Sequence, residues 1–101
     1  MGFFYYRREI AVLPTTTGIE KKREKIDALN EKIVILLAKR TQAAKKIGEL
    51  KKKAGIAVRD YEREHAVITQ VRGLAKLHGL NLDHTEKVFT AIMQGARKVQ
   101  K

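Results

Sequence analysis

The chain has 101 residues, no cysteine, and 22 Lys and Arg against 11 Asp and Glu, a formal charge of +11. That length supports one domain with a thin core, because a monomer of this size buries only roughly 60 to 68% of the surface its unfolded chain exposes. The absence of cysteine excludes disulfides and thiolate chemistry, and no apolar run approaches the roughly 20 residues needed to cross a bilayer.

Residues 1–18, MGFFYYRREIAVLPTTTG, hold four of the six aromatics and the only proline, with no helical period. They read as a flexible N-terminal arm, without a secretory leader's order of basic start, apolar stretch and small-residue cleavage site, so the expected location is cytoplasmic. Thr17 and Glu20 have capping-box spacing and predict a helix starting near Gly18. From Ile19 to about Ala54 apolar residues recur at steps of three and four: Ile19, Ile26, Leu29, Ile33, Leu36, Leu37, Ala44, Ile47 and Leu50. At about 1.5 Å per residue such a helix is about 50 Å long, too long for a lone small domain to cover, so it should pack on a second copy of itself. Gly55 ends it. Asp60 is a good N-cap for a second helix that runs to His78 and stops at Gly79, with Val67, Ile68, Val71, Leu74 and Ala75 as its inner face. A third helix, opened by an Asp83–Glu86 capping box, turns Val88, Phe89, Ile92, Met93, Ala96 and Val99 inward. The expectation is therefore an all-α chain of three helices, one long and two short, with residues 19–101 as its helical domain.

The apolar row of the long helix also carries Arg23, Arg40 and Lys51, and cations on a buried seam need anions. Arg40 and Lys51, eleven residues apart, fall within about 20° of one face and about 16 Å along the axis, a gap that long side chains can close on a small ligand. Arg23 lies about 25 Å from Arg40 and about 42 Å from Lys51 along the same helix, so it cannot join them on one metabolite within one chain, but in an antiparallel dimer it could serve the partner's site. Asp60, Arg63 and Glu64 share one face at the start of the second helix, where the dipole also favours an anion.

Plainer readings compete with this one. An Arg and Glu row is commonly a solvated ion-pair face, arginines on a seam can snorkel to water, and Lys51, Lys52 and Lys53 suit an exposed helix end. Gly48 is a weak signal of close helix contact. His65, His78 and His84 lack metal-site spacing, so no metal and no cofactor is expected.

The stretch KREKIDALNEKIVILLAKRTQAAKKIGELKKKAGIAVRDYEREHAVI, followed by GLNLD and VFTAIMQGARKVQ, resembles the all-helical chorismate mutases over roughly residues 20–100. The opening REKIDALN, the LLAKR followed by IGELK, the VRDYERE segment and the late FTAIM with Gln100 beyond it carry that resemblance. It implies an intertwined antiparallel homodimer that rearranges chorismate to prephenate on the way to phenylalanine and tyrosine. By resemblance, Arg23 is the residue lent across the interface, joining Arg40 and Arg63 on the substrate's two carboxylates. Lys51 and Gln100 would donate to the ether oxygen of the breaking bond, Asp60 and Glu64 would engage the ring hydroxyl, and Ile47 and Met93 would form apolar walls. The reaction is unimolecular and pericyclic, so it needs no nucleophile, general base or metal, and the sequence offers no convincing set for any of them. Ala96 stands where many relatives have serine, and Gln100 is the penultimate residue, where helix ends fray.

Two other functions compete. Isochorismate pyruvate lyase shares the fold and the cationic pocket, although Asp60 and Glu64 favour the mutase. A basic helical dimer could instead hold nucleic acid through Lys45, Lys46 and Lys51–Lys53.

Overall fold

The computed structural model describes residues 14–101, which form three α-helices and no strand: α1 (Pro14–Ala54), α2 (Tyr61–Leu77) and α3 (Leu82–Gln100). The flexible-arm expectation falls mostly on residues 1–13, outside the described part. Its last five positions, 14–18, are helical, so α1 starts at Pro14 and not near Gly18. Proline suits a first helical position, since its φ is already helical and its missing N–H would have had no intrahelical partner.

The two stops are of one kind. Gly55 (φ 69°) and Gly79 (φ 72°) take the left-handed conformation that costs a residue without Cβ little. At the first, Gly55 N–H donates to the Lys52 carbonyl (3.3 Å) and Ile56 N–H to that of Lys51 (2.9 Å). At the second, Gly79 N–H reaches Lys76 (3.4 Å) and Leu80 N–H reaches Ala75 (2.8 Å). Both are Schellman closures, which satisfy carbonyls that the last helical turn leaves open.

The N-terminal caps divide between expectation and correction. Asp60 caps α2 as expected, its Oδ1 accepting from Arg63 N–H at 2.9 Å. The cap of α3 is Asn81, whose Oδ1 accepts from His84 N–H at 2.8 Å, and not Asp83. Asp83 and Glu86 turn instead to Arg72 on α2, whose Nη1 lies 2.9 Å and 3.0 Å from them. These bonds hold the Arg72 guanidinium above its ordinary pKa, the Asp83 hydrogen bond contributing most.

Residues 39–101 form one compact unit and residues up to Ala38 another. In the larger unit, α2 packs on α3 around Val67, Val71 and Met93, with Ile68 and Phe89 against them. Ala44 of α1 and Ala75 of α2 are also buried. Three residues expected inside are not: Leu74, Val88 and Val99 are 46%, 42% and 36% exposed. The apolar faces are wider than the chain's own core can cover. In the smaller unit Ile26, Leu29, Ile33 and Leu36 are all about half exposed or more, and Glu20 is buried and paired with Arg23 at 3.0 Å.

Candidate active site

One cleft of about 400 Å³ in the larger unit gathers eight of the nine residues named from the sequence: Arg40, Ile47, Lys51, Asp60, Arg63, Glu64, Met93 and Gln100. The ninth, Arg23, belongs to the smaller unit. Ala43, Ala44, Val58, Val67, Ala96 and Arg97 complete the lining. The cleft is therefore an apolar trough with charge concentrated on two walls.

The first wall is built across the fold. Lys51 Nζ donates to Gln100 Oε1 at 2.9 Å and to the Val58 carbonyl at 2.6 Å. Its own backbone carbonyl takes Ile56 N–H, so the connector is tied to Lys51 through both main chain and side chain. Gln100 sits at the last turn of α3, a place where ends fray, yet here it is packed down. A Cβ on Gly48 would lie 2.7 Å from Gln100 Cα and 2.9 Å from its carbonyl oxygen, closer than non-bonded carbons approach. The absent side chain of Gly48 thus admits the backbone of residue 100 against α1. The sequence hint of a close contact at Gly48 finds its partner in Gln100.

The second wall is local. Asp60 and Arg63 lie at the mouth of α2, joined by the capping hydrogen bond, and Glu64 follows one position on. Glu64 is engaged on both oxygens: Oε2 accepts from Arg97 Nη1 at 2.7 Å and Oε1 from Arg59 Nη2 at 3.2 Å. Arg59 also lies over the Tyr61 ring, 4.4 Å from its centroid. Two of the three acids of GIAVRDYEREH are thus not freely solvated: Asp60 caps a helix and Glu64 takes up two guanidinium groups, while Glu62 is exposed.

Sequence reading gave Arg97 no role in the site. The signal available was its position: Met93, Arg97 and Gln100 recur at steps of four and three on the face of α3 that lines the cleft. Four cations, Arg40, Lys51, Arg63 and Arg97, face two carboxylates, Asp60 and Glu64, leaving a surplus of two positive charges. Such a trough suits a small dianion with an apolar body and at least one hydroxyl. Among the described residues no group of three or more His, Asp or Glu is placed to hold a metal ion, and no helix is long and apolar enough to cross a membrane.

Comparison with known proteins agrees with that chemistry. Residues 22–101 match the sequence profile of the family described as chorismate mutase type II. A chorismate mutase of Methanocaldococcus jannaschii is 34% identical over 79 residues, 78% of this chain and 80% of that protein. The bifunctional chorismate mutase/prephenate dehydratase of Escherichia coli K12 is 36% identical over 72 residues, 71% of this chain but only 19% of the larger protein. Among solved structures, a conserved hypothetical protein from Pyrococcus furiosus superposes with a TM-score of 0.68 at 27% identity, covering 84% of this chain and 97% of that one.

Proposed function

This chain belongs to the type II chorismate mutase family and is an isomerase of that activity; from that premise we propose how its cleft performs the rearrangement of chorismate to prephenate. The substrate is a flexible dicarboxylate that reacts only when its enolpyruvyl side chain folds over the ring. Arg40 and Arg63 take the two carboxylates and hold that compact conformer, converting a rare geometry into the bound one. Ile47 and Met93 press on the apolar body, and Asp60 and Glu64 engage the ring hydroxyl, whose one proton is donated to Glu64.

Negative charge develops on the ether oxygen as its bond to the ring lengthens. Lys51 and Gln100 are the donors we assign to it. An ammonium has three protons; with two committed to Val58 and Gln100, one remains for the substrate. Because Gln100 Oε1 accepts from Lys51, its amide NH2 is the end left to donate. Both donors are in place before the reaction begins, so no reorganisation is needed when charge appears. The 2.9 Å Lys51–Gln100 contact, joining residues 49 apart in sequence inside a cationic trough, is the observation that carries this reading.

The molecule works, in this proposal, as an intertwined antiparallel homodimer in which each α1 lends Arg23 to the other copy's cleft. The support is the exposed apolar row of α1, a cleft lacking an intramolecular Arg23, and the seam spacing that puts Arg23 out of reach within one chain. We assign residues 19–101 to this catalytic domain. The cysteine-free composition suits the cytoplasm, the compartment we propose. Lys51, turned into the cleft by two hydrogen bonds, is unavailable to a nucleic-acid patch.

The test is direct. Purified protein should remove the diene absorbance of chorismate and yield prephenate as the product, and isochorismate should give little pyruvate under the same conditions. Pyruvate release without prephenate would overturn the assignment.

A further inference from the structure

Glu64 is an acid in a cleft built for an anion, and its surroundings show how it is held. Each oxygen is taken by a different guanidinium, from Arg97 on α3 at 2.7 Å and from Arg59 in the connector at 3.2 Å. The two grips are unequal. Arg97 and Glu64 have side chains only 23% and 20% exposed, whereas Arg59 is 46% exposed. A short, shielded, charge-assisted bond is strong, while a longer one open to water is screened.

A carboxylate has about four lone-pair sites. One on each oxygen is used, so Glu64 keeps acceptor capacity toward the cleft while the orientation of its plane is fixed. We propose that Arg97 is a positioning residue, acting through Glu64 to hold that carboxylate turned so that its remaining lone pairs accept from the substrate's ring hydroxyl. Without Arg97, Glu64 would face an anion with only the more exposed Arg59 bonded to it. The inference rests on the reading of Glu64 as the hydroxyl acceptor.

Arg97 also lines the cleft itself, so direct contact with a substrate carboxylate is the competing explanation, and a double-mutant cycle separates the two. Steady-state kinetics on chorismate would be measured for the full chain and for Arg97→Gln, Glu64→Gln, the pair together, and Arg97→Lys, each with a thermal melt. Arg97→Gln should lower kcat/KM roughly 10- to 100-fold, the range expected for loss of a hydrogen bond to a charged group. In the Glu64→Gln background the same change should cost less than about twofold. Arg97→Lys should recover part of the loss, since it restores the charge but not the planar fork. An equal loss in both backgrounds would mean that Arg97 binds substrate itself, which overturns the positioning role. A folded Arg97→Gln within about twofold of the parent overturns it as well. If Arg97→Gln does not fold, the cycle is run with Arg97→Lys on the same criterion of non-additivity. Parental activity in Glu64→Gln alone would remove the hydroxyl-acceptor reading and this inference with it, while leaving Lys51 and Gln100 untouched.

Discussion

The two walls of the cleft are made in opposite ways. Asp60, Arg63 and Glu64 share the first turn of one helix, so their arrangement follows from a cap and a spacing of three to four residues. Lys51 and Gln100 stand 49 residues apart and meet only because Gly48 lets the end of α3 lie against α1. Polar geometry made by a single helical turn survives small errors of packing. Polar geometry made across helices depends on a few tenths of an ångström at a remote contact. Substitutions on the Lys51 wall should therefore be more damaging, and more sensitive to distant changes, than those around the cap.

The largest effect is expected at Lys51. Lys51→Ala would remove the donor proposed for the developing charge and should cost about 3 to 4 kcal/mol of transition-state stabilisation, lowering kcat some 10²- to 10³-fold. Near-parental turnover would break the assignment of this wall. Gln100→Glu should be almost as inactive at neutral pH, because a carboxylate cannot donate to the ether oxygen. Activity should return only as acidification protonates that carboxyl, and Lys51 beside it shifts the recovery to lower pH by favouring the ionised form. A pH profile parallel to that of the parent enzyme would count against a donor role for Gln100.

A mixing experiment tests whether the cleft is completed by a second copy. On the proposed homodimer, Arg23→Ala and Lys51→Ala proteins should each be nearly inactive, yet subunit exchange should restore about a quarter of parental activity, because heterodimers would contain one intact site and one doubly broken site. No recovery in verified heterodimers would confine each site to one chain. Gly48→Ala probes the cross-helix contact more gently: it should lower kcat by about tenfold with KM little changed, as expected when a donor is displaced without loss of substrate binding. The smallest effect belongs to Arg72→Ala. Its ion pairs with Asp83 and Glu86 are largely exposed, so the melting temperature should fall slightly, less at high salt than at low, with kinetics unchanged.

What could be read from the sequence divides along the same line. The three helices, the Asp60 cap and the stops at Gly55 and Gly79 are local events, encoded by period and by residues with special backbone preferences, and all were legible. The start of α3 was not. Asn81 and Asp83 are both good caps, and the choice between them is made by Arg72, eleven residues upstream of Asp83, which draws Asp83 and Glu86 across to α2. Arg97 was missed for a similar reason, since no spacing rule links it to Glu64, 33 residues earlier. Leu74, Val88 and Val99 have the right period for a core, but periodicity marks an apolar face without saying whether this chain or another molecule covers it.

The run Ile33, Val34, Ile35, Leu36 and Leu37 places five consecutive apolar side chains 36–64% in water on a single chain. Those residues girdle the helix, and on the proposed homodimer a newly made subunit bearing them would sit between assembly and aggregation, the outcome set by encounter rate. In the homodimer proposed above the fold is finished by association, and resistance to unfolding would then depend on concentration. On that proposal dilution alone should weaken the enzyme, and a cell that makes too few copies would lose folded subunits along with activity.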